Sequence, residues 1–183
     1  LKNPKSDVTV LLITFFLTVI FDLTVAIEVG LLIACVLFMK RVMETTDISV
    51  IKNEIDPNNE SDLEVHEEHL MVPEGVEVYE INGPYFFGIA TKFEEIMSEL
   101  GDRPKVRIIR MRKVPFIDST GIHNLTNLCE MSKKENIHIV LSGVNEKVHK
   151  VLEKAGFYDL LGEDNICPNI NVALEKAKAI VEK

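Results

Sequence analysis

The sequence lacks the spacings that most chemical functions need. Its three cysteines, Cys35, Cys129 and Cys167, are odd in number and scattered, so they make neither a disulfide framework nor a zinc spacing, and they fit a reducing compartment. There is no G-x-x-x-x-G-K-[ST] phosphate loop, no H-E-x-x-H and no G-x-S-x-G, so nucleotide hydrolysis, zinc proteolysis and ordinary esterase chemistry lack their parts. Positive charge is also scarce. Twenty Lys and Arg stand against 29 Asp and Glu, a formal net charge of −9, and no basic stripe interleaved with aromatics argues for nucleic acid. His66 and His69 are three apart, but with no cysteine or third histidine nearby they read as solvated residues rather than half a metal site. No enzyme, metal or cofactor is expected.

What is present is unevenly distributed. From Val8 to Met39 the chain is nearly all apolar, broken by Asp22 and Glu28. As one helix these residues would run about 48 Å, well beyond a hydrocarbon core of about 30 Å. Lys2 and Lys5 precede the stretch and Lys40 and Arg41 follow it, which favours both ends on the cytoplasmic side. The expectation is a short transmembrane helical hairpin within residues 1–43, with one helix over 8–21, a turn at 22–24 and a second helix over 25–42. Each arm is short for a full span, which suits packing inside a larger membrane protein. Asp22 and Glu28 lie near the turn, where they are either hydrated by headgroups or buried for a function. Gly30 and Ala34 form a small-xxx-small pair suited to helix packing. A signal peptide is excluded by length and by the acidic residues. The first residue is Leu rather than Met, so the chain reads as a fragment of a longer protein.

Residues 44–80 hold twelve acidic residues and a single lysine, Lys52. The expectation is an acidic linker over 44–72, mobile around Asn53–Asp62 and held off a negative cytoplasmic leaflet. Residues 73–183 read as an α/β domain. Strands are expected at Val76–Ile81, Tyr85–Phe87, Lys105–Met111, Ile137–Leu141 and near Asn165–Cys167. Helices are expected after the Thr91/Glu94 capping box, over 119–134, from Val144 to Ala155, and over 171–182. Strands alternating with helices imply a sheet with crossover helices.

The chain is organised around Val114-Pro115-Phe116-Ile117-Asp118-Ser119-Thr120-Gly121-Ile122-His123. A β-branched run precedes it and a helical pattern follows, so Asp118 or Ser119 can accept hydrogen bonds from the free N–H groups of a helix start. Gly121 allows a tight turn or a close approach, and the helix dipole there would stabilise a carboxylate or phosphate. Ser119 and His123 resemble a nucleophile and base, but no orienting acid is evident. Arg110, Arg112 and Lys113, with Lys105 and Arg107, form a basic patch. It consists of solvated edge charges, or it pairs with the acidic linker or with an anionic partner such as an acyl carrier protein.

The Asp118–Gly121 turn resembles the D-S-[ST]-G signature of STAS domains. The longer string from Arg110 to Gly121 is closer still to the STAS domain that ends bacterial SulP anion transporters, and Phe21–Gly30 resembles the join between the last two membrane helices of that family. The resemblance implies the C-terminal part of a SulP-type secondary anion transporter in the inner or plasma membrane, whose relatives carry sulfate, bicarbonate, dicarboxylates or halides. Its STAS domain would be cytoplasmic and would act as a regulatory and assembly module, with the rest of the membrane domain, the lipid bilayer and a second copy as partners. The substrate site belongs to earlier helices, so no substrate residue carries over. The alternative is a membrane-tethered relative of anti-sigma-factor antagonists. In those relatives a partner kinase phosphorylates the serine of the motif, whereas many transporter relatives have alanine there. This chain keeps Ser119, with Thr120 as a second hydroxyl.

Overall fold

The structure is a computed structural model that describes residues 5–45, 47–51, 54–55, 70–86 and 103–182. It divides into two compact units, Leu1–Thr45 and Thr46–Lys183.

The first unit holds helices α1 (Lys5–Ile20) and α2 (Leu23–Thr45), joined by a two-residue turn. Asp22 makes that turn a helix start, because its Oδ1 accepts a hydrogen bond from Val25 N–H at 2.9 Å. The helices pack closely, since a Cβ added at Gly30 would lie 2.7 Å from Thr14 Oγ1. That hydroxyl is turned back onto its own helix, donating to the Val10 carbonyl at 2.8 Å. Ala26 and Gly30 are the buried positions of α2, whereas Ala34 is exposed. The small residues in the contact are therefore Ala26 and Gly30, one turn earlier than the expected Gly30–Ala34 pair. The arms also differ from expectation in length. At 23 residues α2 runs about 35 Å, and its segment Leu23–Val42 is long and apolar enough to cross a membrane. The apolar part of α1, Val8–Ile20, is shorter.

The second unit contains β1 (Asp47–Ile51), β2 (Glu54–Ile55), β3 (Leu70–Met71), β4 (Val76–Asn82), β5 (Val106–Arg110), α3 (Ser119–Lys134), β6 (His138–Ser142), α4 (Glu146–Lys154), α5 (Phe157–Leu161), β7 (Ile166–Cys167) and α6 (Ile170–Val181). Five strands form one sheet in the order β1-β4-β5-β6-β7, and β2 and β3 form a separate pair. β1 is antiparallel to β4, and the other neighbours in the large sheet are parallel.

Two expectations change here. Residues 47–51 fall inside the stretch read as linker, yet they form the edge strand of the sheet, because Ile48 alternates with polar neighbours and finds the core. Tyr85 does not begin a strand partner for β4; it makes an isolated bridge to Ile117. The helix after Thr91, most of Asn53–Asp62, and His66 and His69 lie outside the described residues.

The sheet is covered on both faces. On one, Tyr79, Ile109, Met111 and Leu141 pack with Leu125 of α3, Leu152 of α4 and Phe157 of α5. On the other, Val78, Val106, Ile108 and Val140 pack under Ala173, Leu174 and Ala177 of α6. Each such Val, Ile or Leu contributes about 1.5–3 kcal/mol of burial. A sheet buried on both sides explains why β5 reads as an unbroken run of buried residues.

Candidate functional site: the Asp118 turn and its charged flank

β5 runs parallel to its neighbours and hands the chain to α3 through residues 111–118, at the end of the sheet where crossover loops gather. Several contacts hold this loop. Tyr85 N–H donates to the Phe116 carbonyl at 3.1 Å, and Asp118 N–H donates to the Tyr85 carbonyl at 3.4 Å. The Asn145 side-chain amide donates to the Val114 carbonyl, while its Oδ1 caps α4 by accepting from Val148 N–H at 3.0 Å. One residue thus ties the start of α4 to the loop that precedes α3.

The cap of α3 falls to Asp118 alone. Its Oδ1 accepts from Gly121 N–H at 2.6 Å, and its backbone is extended. Ser119, the first helical residue, is exposed, and its hydroxyl has no hydrogen-bond partner among the described residues. Gly121 is fixed by contact: a Cβ there would lie 2.6 Å from the Tyr85 carbonyl oxygen and 2.9 Å from Ile117 Cγ1. The glycine therefore lets α3 start against the Tyr85 backbone, while Asp118 holds the start and Ser119 is left for solvent. Beside it stands Phe116, an exposed aromatic. Ser119 and His123 make no nucleophile–base pair, since the His123 ring faces Asn127, with Nε2 3.3 Å from Nδ2.

The basic patch resolves into different roles. Glu77 and Glu80 on β4 stand in register with Arg107 and Arg110 on β5. Residues three apart on a strand point to opposite faces, so the two pairs sit on opposite sides of the sheet. On the α3 side, Arg107 Nε lies 4.0 Å from Glu77 Oε2, Arg107 Nη1 donates to Ser132 Oγ at 3.5 Å, and Tyr79 O–H donates to Glu77 Oε2 at 2.7 Å. On the α6 side, Arg110 Nη1 and Lys113 Nζ each lie 3.4 Å from Glu80 Oε1. Burial first, and Arg112 second, pull the Arg110 guanidinium below its ordinary pKa. At 5% exposed, Arg110 is an internal ion-pair partner, neither the solvated edge charge nor the partner-docking residue of the sequence reading. Lys113 is exposed and Arg112 half-buried, and they remain at the surface beside the turn.

The glutamates were missed as partners, although both strands carry their charges at the same spacing, 77 and 80 against 107 and 110. The two buried cysteines, Cys129 and Cys167, offer no reactive group. Burial, with Glu130 adding to it, pushes the Cys129 thiol up to about 12, and burial raises Cys167 too. Among the described residues no group of His, Cys, Asp and Glu could hold a metal.

Known proteins agree with this architecture. The STAS domain model matches residues 69–173. The putative sulfate transporter YvdB of Bacillus subtilis is 30% identical over 172 residues, covering 90% of this chain and 29% of that protein. The chain therefore spans under a third of the length of this relative. A sulfate transporter family protein from Wolinella succinogenes has a crystal structure that superposes with a TM-score of 0.60 at 40% identity, covering 70% of this chain and all of that one. The murine Slc26a9 anion transporter in its inward-facing state shares the fold at a TM-score of 0.76 and 18% identity, over 97% of this chain and 29% of that one. The chain belongs to the STAS-domain family, and within it to the SulP type that sulfate transporter homologues carry.

Proposed function

We propose that this chain is the C-terminal portion of a SulP-type secondary anion transporter. Its hairpin would lie in the inner or plasma membrane beside the rest of the membrane domain, with the STAS domain in the cytoplasm as a regulatory and assembly module and the whole protein a homodimer. One observation carries the reading: an apolar two-helix unit runs directly into a STAS sheet, and the match to YvdB covers both parts in one stretch. The anion is of the sulfate, bicarbonate or dicarboxylate class. Three features support a non-enzymatic, regulatory domain: buried domain cysteines, a serine without a base, and a turn that presents Phe116 and Ser119 to solvent beside half-buried Thr120.

The full-length protein in proteoliposomes provides the test. Uptake of labelled sulfate, bicarbonate or succinate above that of empty liposomes is expected, altered when residues 73–183 are removed. Correctly inserted protein that carries none of the three would refute transport. A second reading, membrane-tethered signalling through a kinase, is favoured by the exposed Ser119 hydroxyl, which capping does not require. Under it, phosphoproteomics finds Ser119 or Thr120 modified and the full-length chain carries no further membrane segments upstream. Under the transport reading, ten or more such segments precede this one.

A further inference from the structure

At the end of the sheet opposite the Asp118 turn, a cleft of about 320 Å³ opens where the last turn of α3, the start of β6 and α5 meet. Its floor is apolar: Cys129 and Ile139 are 7% and 6% exposed, and Leu161 is half-buried. Its rim is polar, with Lys133, Asn136 and His138, and no carboxylate among the described residues lines it. Lys133 forms no ion pair among the described residues. The carbonyls at the end of α3 are already occupied, since Glu135, Asn136 and Ile137 N–H groups donate to the carbonyls of Met131, Lys133 and Ser132. The negative end of the helix is thus capped, and Lys133 is the charged side chain among the described residues that line the cleft.

An apolar floor with one free cation and a side-chain amide on its rim is complementary to a molecule with a hydrocarbon body and a single negative head. We propose that this cleft binds a small amphipathic monocarboxylate, its body on the Cys129, Ile139 and Leu161 surface and its carboxylate against Lys133 and Asn136. The volume lies at the low end for small-molecule sites and suits a body of about eight carbons. A neutral alkyl chain would leave Lys133 without a counter-charge, and a cationic one would be repelled. This site does not depend on whether the protein carries anions.

Octanoate is the probe, with full-length protein in nanodiscs and empty nanodiscs as the background for partition into lipid. Equilibrium dialysis of labelled octanoate should show one saturable site per chain, for which octylamine does not compete. Lys133→Gln alters an exposed side chain and should weaken binding at least ten-fold. Binding no greater than that of empty nanodiscs overturns the proposal. So does binding that Lys133→Gln leaves intact, or that octylamine displaces.

Discussion

In the N-terminal hairpin, Leu11, Phe15, Val19, Leu31 and Phe38 each stand 59% or more exposed, whereas the sheet domain buries Val78, Ile108 and Val140 completely. The contrast reverses at the small residues. The hairpin hides Ala26 and Gly30 between its helices and turns its large side chains outward. The domain fills its interior with large aliphatics. Each pattern suits a different solvent: in the membrane setting proposed above, close backbone approach at small residues would replace the hydrophobic drive that assembles the sheet. The two units also treat charge differently. The domain takes Arg107 and Arg110 inside because Glu77 and Glu80 meet them across one strand. The hairpin keeps Asp22 and Glu28 on its surface and uses Asp22 as a cap.

The comparison can be broken at its strongest point inside the domain. Arg110→Ala leaves half-buried Glu80 with exposed Lys113 as its remaining counter-charge among the described residues, and should cost about 3–5 kcal/mol in urea unfolding. A loss below 1 kcal/mol would show that the pair is solvated. Removal of β1 comes next. The polypeptide 46–183 should unfold cooperatively without the hairpin, while 70–183, which lacks Ile48 and Val50, should be about 3 kcal/mol less stable. Equal stability would return residues 47–51 to the role of linker.

One substitution made in both units sharpens the contrast. Leu31→Lys places a charge on the outer surface of α2 and should cost about 3 kcal/mol of membrane insertion in a glycosylation-mapping assay. Val151→Lys, on the exposed side of α4, should change domain stability by no more than about 0.5 kcal/mol. The smallest effects are at the turn. Asp118→Ala should cost about 0.5–2 kcal/mol, as loss of a helix cap does. Ser119→Ala should shift stability by less than about 0.5 kcal/mol, because the hydroxyl caps nothing. Equal losses at the two positions would mean that they share the cap.

Much of the domain was legible because its periodicities are clean. Helix α3 runs over residues 119–134 as read, and β4, β5, β6 and α6 fall within a residue or so of expectation. β1 was hidden by its setting: Asp47, Lys52 and the acidic residues beyond gave it the composition of a linker, and only pairing with β4 makes it a strand. Five-residue α5 was hidden because Gly156, at φ 69°, reads as the end of a helix and also serves as the start of the next. At the site, local chemistry indicated a helix cap but not which residue supplies it. Asp118 wins because its carboxylate reaches Gly121 N–H from the position before the first turn, while Ser119 is already inside the helix. Arg110 misled because a strand run rich in arginine looks like a surface until the opposite strand is known to carry glutamate at the same spacing.

The division of the chain between two solvents is tested most directly by labelling single cysteines in intact cells. Cys35, Cys129 and Cys167 are replaced in the full-length protein, and one cysteine at a time is placed at Ser6, Phe21 or Thr45. An impermeant thiol reagent added outside should label position 21 and spare positions 6 and 45, which become reactive only when the membrane is opened. Labelling of one of positions 6 and 45 from outside while the other is protected would contradict a hairpin with both ends in the cytoplasm.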